Sequence, residues 1–322
     1  VGRNYLKKYR VIVIIMSLLR HYIKKTPLEF NSRLSELFGN SIYLKREDLQ
    51  VTRSFKIRGV MNKILTNFTD SKRKGIICAS TGNHAQAVAY CCHNFGIDGV
   101  VFIPQGTPKQ KINMIKYYGK DNITIVDNNK TFNESLNNAY KYSKKNNKFF
   151  IHPFNDHDVI KGQSTIGDEI LSEFTPDIVI TGLGGGGLLS GVYNTLHRKS
   201  KVIGIEPVGA RSMTIAINKK KPYNLKYIDR FIDGAAVSKI GELNFNILNK
   251  KVEVHTVTNY EVCKEIVDLY NYDGIITEPA GALSVAGLKK IKEKNKKIVC
   301  VISGGNNDIT RYNEILDFYN SD

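Results

Sequence analysis

The stretch TGLGGGGLLSG, residues 181–191, decides the fold. It follows the apolar run DIVITG (177–182) and opens a helical pattern. A buried strand that turns through glycines into a helix is the signature junction of a parallel α/β sheet. Gly184, Gly185, Gly186 and Gly187 are costly in conformational entropy, and one or two glycines suffice for a turn. What the run gains is exposed backbone N–H groups at a helix N-terminus, which suits a phosphate.

The same pattern recurs outward from this junction. Strands are expected at 41–47, 74–80, 99–104, 122–126, 177–182, 201–207 and 297–305. Helices are expected near 55–67, 84–95, 108–118, 132–146, 158–173, 187–199, 259–270, 279–294 and 308–319. Continuous β-branched strands alternating with helices predict parallel sheets covered on both faces. At 322 residues the chain is long enough for two domains. The reading places a large domain in 1–70 plus 151–322 and a small one, inserted in it, in 71–150.

Composition narrows the class. The chain is 42% hydrophobic and 24% charged, as in a soluble globular protein. Its net charge of +17 is spread thinly over lysine-rich segments, without Trp or an aromatic-interleaved basic stripe, so no nucleic-acid partner is expected. The five cysteines form no C-x-x-C pair, which argues against a disulfide framework or zinc site and for a reducing, cytoplasmic setting. The apolar run 11–19 is too short to span a bilayer and is read as a helix packed on the body.

Three further junctions carry polar residues. In ASTGNHAQAVAY (79–90), Ser80, Thr81, Gly82, Asn83 and His84 turn a strand into a helix, either as a receiver of a carboxylate or phenolate-like oxygen or as a plain N-cap. In VISGGNND (301–308), Ser303 follows a buried strand, as a turn residue or as a hydroxyl aimed at a ligand. In SFKIRG (54–59), Lys56 alone reads as a surface cation, although a desolvated lysine amine is also a nucleophile. The set of lysine, phosphate cradle, Asn-bearing loop and serine is the part list for pyridoxal 5′-phosphate (PLP). A rival reading takes Gly182, Gly184 and Gly187 as G-x-G-x-x-G, with Glu206 on a ribose, in an NAD-binding oxidoreductase. It leaves Lys56, Asn83 and Ser303 without a role. The group His152, Asp156, His157 and Asp158 is read as a structured crossover loop, since no ligand pair has a fixed spacing.

SFKIRG, STGNHAQ, GLGGGGLLSG and ISGGN stand in the order and spacing of the fold-type II PLP enzymes, and the chain resembles that family from about residue 26 to its end. Within it, YLKREDLQ (43–50), DGAAVSKIGELNF (233–245) and EPAGALSVAGLKK (278–290) resemble the biosynthetic threonine dehydratases. The resemblance implies two three-layer αβα domains and β-elimination of L-threonine to 2-oxobutanoate and ammonia, the first step of isoleucine synthesis. L-Serine is expected as a second substrate, because one methyl group is worth only about 1–3 kcal/mol. Serine dehydratase and serine racemase are the alternatives on the same scaffold. The family is commonly dimeric or tetrameric.

Carried over to this chain, the resemblance makes Lys56 the lysine that holds PLP covalently and acts as base. Gly184, Gly185, Gly186, Gly187 and Leu188 match the loop on the cofactor phosphate. Asn83 matches the residue on the ring 3′-oxygen, Ser303 the residue facing the pyridine nitrogen, and Glu278 an acidic residue near the cofactor. Ser80, Thr81, Gly82, Asn83 and His84 match the loop that receives the substrate carboxylate. Two positions depart from serine racemase. Thr81 stands where the racemase has its serine base, and Ser212 where it has a later metal ligand after Glu206. No metal is therefore expected. Nor is isoleucine inhibition, since no regulatory domain follows the motifs.

Overall fold

The structure, a computed structural model, describes residues 18, 19, 21–80 and 82–321. Thr81 and most of the apolar run 11–19 lie outside the described residues. Ten strands form two sheets among them: β1 (Leu28–Phe30), β2 (Ser41–Arg46), β3 (Ile76–Ala79), β4 (Gly99–Pro104), β5 (Ile123–Asn129), β6 (Phe149–Phe150), β7 (Ile178–Gly182), β8 (Lys201–Pro207), β9 (Glu253–Val257) and β10 (Lys297–Ile302). Five helices matter for the site: α1 (Lys56–Thr66), α2 (Asn83–Phe95), α3 (Gly187–Leu196), α4 (Ser212–Lys219) and α5 (Pro279–Ala286).

The chain packs as two units. One comprises Lys56–Gly162 with the described residues up to Lys25; the other comprises Thr26–Phe55 and Gln163–Asp322. These divisions differ from those drawn at 70/71 and 150/151, and the reason is local. α1 packs on α2. The segment after β6 also stays with that unit: Ile151 N–H donates to Ile77 at 2.9 Å. Asn62 of α1 donates to the Asp158 carbonyl at 2.7 Å.

The smaller unit holds a four-stranded sheet in the order β5-β4-β3-β6, parallel throughout. Its β3 is buried along its whole length, as a strand covered on both faces must be. β3 delivers the chain at its carboxyl end to Ser80 and α2. α2 ends at Gly96, whose left-handed φ of 57° lets its N–H return to the last carbonyls.

The larger unit holds a six-stranded sheet in the order β1-β2-β10-β7-β8-β9. All pairs are parallel except the edge pair β1–β2. From β7 the chain steps through β8 to β9 on one side, then returns to β10 on the other. Ligands in open α/β sheets bind at the carboxyl ends of strands at such a reversal. The glycine run follows β7 and Ser303 follows β10, so two predicted segments leave neighbouring strands at the same end.

The expected strands all form. Those not foreseen are β1, β6 and β9, each short or half-buried at an edge. Among the described residues, no helix is long and apolar enough to cross a membrane. All five cysteines are free and buried.

Candidate functional site

In the larger unit the glycine run is the centre. Among the described residues, no N–H of Gly184, Gly185, Gly186 or Gly187 is donated to an acceptor of the chain, and residues 185–187 are buried. Gly186 is the N-cap of α3, with no side-chain cap over the first turn. Buried donors without acceptors cost about 1–3 kcal/mol each, so this arrangement calls for an acceptor-rich anion. A phosphate fits the donor set.

The run is held from behind by residues 233–245, a stretch that carried the family resemblance but no predicted site residue. Gly241 N–H and the Asn244 carboxamide donate to the Gly185 carbonyl at 3.2 and 2.8 Å. A Cβ at Gly184 would lie 2.9 Å from Ala235 Cα, and one at Gly186 2.7 Å from Asn244 Cβ. Gly186 also has φ of 91°, open to glycine at no steric cost. The side chain of Leu188 packs into the hydrophobic core, which leaves its backbone N–H as the group it can offer.

Ser303 is nearly buried, and its hydroxyl donates to the Ala280 carbonyl at 3.2 Å, at the start of α5. Its own carbonyl accepts from Phe55 N–H at 3.1 Å, and Ser54 bridges Gly304. The two residues before Lys56 are thereby tied to the end of β10. Glu278 is buried at the N-cap of α5, but its carboxylate does not cap the helix. It lies against Gly304, where a Cβ would stand 2.6 Å from Oε1.

Glu206, the ribose ligand of the rival reading, is occupied otherwise. Its Oε1 accepts from Met213 N–H at 2.6 Å, and its Oε2 from Thr214 N–H at 2.9 Å and the Thr214 hydroxyl at 2.7 Å. The carboxylate thus caps α4 from the end of β8. Burial pushes its pKa up to about 7, against the pull of those donors.

In the smaller unit, Lys56 is the first residue of α1, a helix buried around most of its circumference. Its Nζ donates to the Pro153 carbonyl at 3.0 Å. Ser80 Oγ accepts from Gly82 N–H at 3.2 Å, which shapes the turn into α2. Asn83 opens α2 behind Gly82, again with no side-chain cap. His84 is buried, with Nε2 3.1 Å from the Ile151 carbonyl. That places the proton on Nε2, while Nδ1 has no partner. Burial, then the nearby Lys56 charge, lower its pKa to about 3. A neutral His84 with its proton committed has no ring donor for a carboxylate; its backbone N–H is what it can offer.

The 152–158 segment is a built loop. His152 Nδ1 accepts from Phe154 and Asn155 N–H at 3.3 and 2.9 Å. Asp156 Oδ1 accepts from Asp158 and Val159 N–H at 2.9 and 3.1 Å. Lys63 Nζ lies 3.0 Å from both Asp156 and Asp158.

Comparison with known proteins shows the family to which the chain belongs. The family described as pyridoxal-phosphate dependent enzyme matches residues 19–304. The biosynthetic L-threonine dehydratase IlvA of Halalkalibacterium halodurans is 43% identical over 314 residues, covering 95% of this chain and 76% of the relative. That of Bacillus subtilis is 45% identical over 300 residues, covering 91% and 71%. Among solved structures, the processed form of threonine deaminase isoform 2 from Solanum lycopersicum gives a TM-score of 0.89 at 33% identity, covering 97% of this chain and 93% of that one. Serine racemase from Dictyostelium discoideum gives 0.83 at 32% identity, covering 93% and 98%. With most of its length matched, and relatives this similar, the chain belongs to the pyridoxal-phosphate dependent enzyme family.

Proposed function

We propose that this chain is a PLP-dependent L-threonine dehydratase, acting in biosynthesis as its relatives' names state. It releases ammonia and 2-oxobutanoate from L-threonine and, more slowly, pyruvate from L-serine. The observation that carries the reading is the row of unpaired N–H groups at Gly184–Gly187, on a chain whose relatives are threonine dehydratases at 43–45% identity.

When bound, PLP supplies the electron sink that makes the substrate Cα proton acidic. The chain supplies the rest. Gly184–Gly187 and the Leu188 N–H hold the phosphate at the positive end of α3. Ser303 would offer the cofactor a neutral hydroxyl in place of a carboxylate, a choice that favours elimination. By the resemblance, Asn83 would hold the ring 3′-oxygen and Glu278 would be the acidic residue near the cofactor. Ser80, Thr81, Gly82, Asn83 and His84 would receive the substrate carboxylate, as the resemblance implies, and so fix the orientation of the Cα–H bond. Lys56 binds the cofactor and, in its neutral form, takes the Cα proton.

We assign the enzyme to the cytoplasm, a reading supported by its five free, buried cysteines, and expect a homodimer or homotetramer. The test is direct. Purified protein with PLP is mixed with L-threonine or L-serine, and 2-oxo acid is followed, with Lys56→Ala as control. Threonine-preferring, Lys56-dependent release is the expected result. A cofactor-loaded protein that releases no oxo acid would move the assignment to another reaction of the family.

A further inference from the structure

His152 has no part in the site as the sequence described it, yet the turn it closes carries the carbonyl that Lys56 touches. Its Nδ1 accepts the N–H groups of the second and third residues after it, Phe154 and Asn155, at 3.3 and 2.9 Å. That closes a turn over residues 152–155. Pro153, inside the turn, points its carbonyl at Lys56 Nζ, 3.0 Å away. The ring is clamped edge-on between Phe150 and Phe154, with centroids at 6.2 and 4.7 Å.

We propose that His152 is a positioning residue for the Lys56 amine: by accepting two backbone N–H groups it fixes the turn whose Pro153 carbonyl holds Lys56 Nζ in place.

The chemistry requires a neutral imidazole. A protonated ring would aim an N–H at two other N–H groups and open the turn. Burial keeps the ring neutral, pushing its pKa down to about 4, with the Lys56 charge acting the same way and Asp156 opposing both. The neighbouring buried imidazole, His84, is also held neutral. Neither imidazole whose pKa the Lys56 charge lowers is itself charged. Donating one N–H to a fixed carbonyl orients an amine, as bond formation at one carbon and proton transfer at another both demand.

The geometry also names its own control. The Oδ1 of an asparagine sits as many bonds from the backbone as Nδ1 of histidine, and accepts from the same two N–H groups in an Asx turn. His152→Asn keeps the turn, whereas His152→Ala loses it.

This inference rests on the assignment of Lys56 as the PLP lysine, so the experiment has a cofactor-free arm. In the first arm, PLP is added to cofactor-free protein, and the rate of covalent linkage is read by absorbance. His152→Ala is expected to slow linkage about 10-fold or more, and His152→Asn to stay within about threefold of the parent. In the second arm, acetic anhydride labels the protein without PLP, and Lys56 acetylation is read by peptide mass spectrometry. His152→Ala is expected to raise Lys56 labelling about threefold, because the amine leaves its carbonyl, with His152→Asn near the parent. Thermal melts confirm that each variant is folded. Equal behaviour of the two variants in both arms, whether parent-like or impaired, overturns the proposal. A parent protein that does not link PLP at Lys56 overturns the functional assignment instead, and the acetylation arm still decides the role of His152.

Discussion

The Asn244 carboxamide donates to the Gly185 carbonyl at 2.8 Å, so the glycine run is braced by a residue some sixty positions later in the chain. Gly241 N–H reaches the same oxygen. The Gly185 carbonyl shares its planar peptide with the Gly186 N–H, so pinning the oxygen fixes the direction of that N–H before any ligand arrives, and preorganisation of this kind lowers the entropy lost on binding.

Asn244→Ala removes the shorter of the two bonds that make this brace and leaves the glycines intact. We expect PLP to bind about 10-fold more weakly, corresponding to about 1.4 kcal/mol, with a smaller change in thermal stability. Titration of cofactor-free protein with PLP, read by absorbance, checks this.

Gly162 faces the start of α1. A Cβ there would lie 2.3 Å from the Arg58 carbonyl oxygen and 2.6 Å from Gly59 Cα, both backbone. Neither can swing aside, so the helix that begins with Lys56 has to shift. Gly162→Ala is expected to cost about 1–3 kcal/mol of stability and at least 10-fold in kcat. Denaturant melts and steady-state rates measure the two effects.

Glu206 ties stability to pH. Its folded pKa is raised to about 7 from 4.5, so the folded state holds its proton more tightly than the unfolded state does. The contribution is fully present below pH 4.5 and is lost as pH rises through about 7, on the order of 3 kcal/mol. Glu206→Gln should flatten that part of the stability profile. It should also lower stability at every pH, because the amide NH2 meets a backbone N–H that the carboxylate accepts. Urea melts between pH 4.5 and 8 read both effects.

Among the described residues, the Ser303 hydroxyl donates only to the Ala280 carbonyl, at a long 3.2 Å. Ser303→Ala should therefore change stability by no more than about 1 kcal/mol. If the hydroxyl faces the cofactor ring, kcat falls about 10-fold or more with KM for threonine little changed. Parallel melts and kinetics separate the two.

Much of this was legible in the sequence for a physical reason. A buried parallel strand needs a continuous β-branched run, as in KIVCVI of β10, and a ligand-binding turn needs glycines or hydroxyls at its end. Those signals are local. The edge strand β9, EVHTV, mixes polar residues because it is half-buried, so it lacked the run. Asn244 and His152 were illegible as site residues for a different reason. Each acts on a backbone atom, Gly185 O in one case and the N–H groups of Phe154 and Asn155 in the other. Such a role leaves no pattern in side-chain spacing. The unit boundary after Phe55 was also hidden, since nothing in SFKIRG marks where packing partners change.

The most direct test of the central claim is the identity of the modified lysine. PLP-loaded protein is reduced with borohydride, digested, and mapped by mass spectrometry. The assignment predicts one phosphopyridoxyl group, on the peptide carrying Lys56, and none in Lys56→Ala. A stoichiometric label on a different lysine, retained in Lys56→Ala, would contradict it.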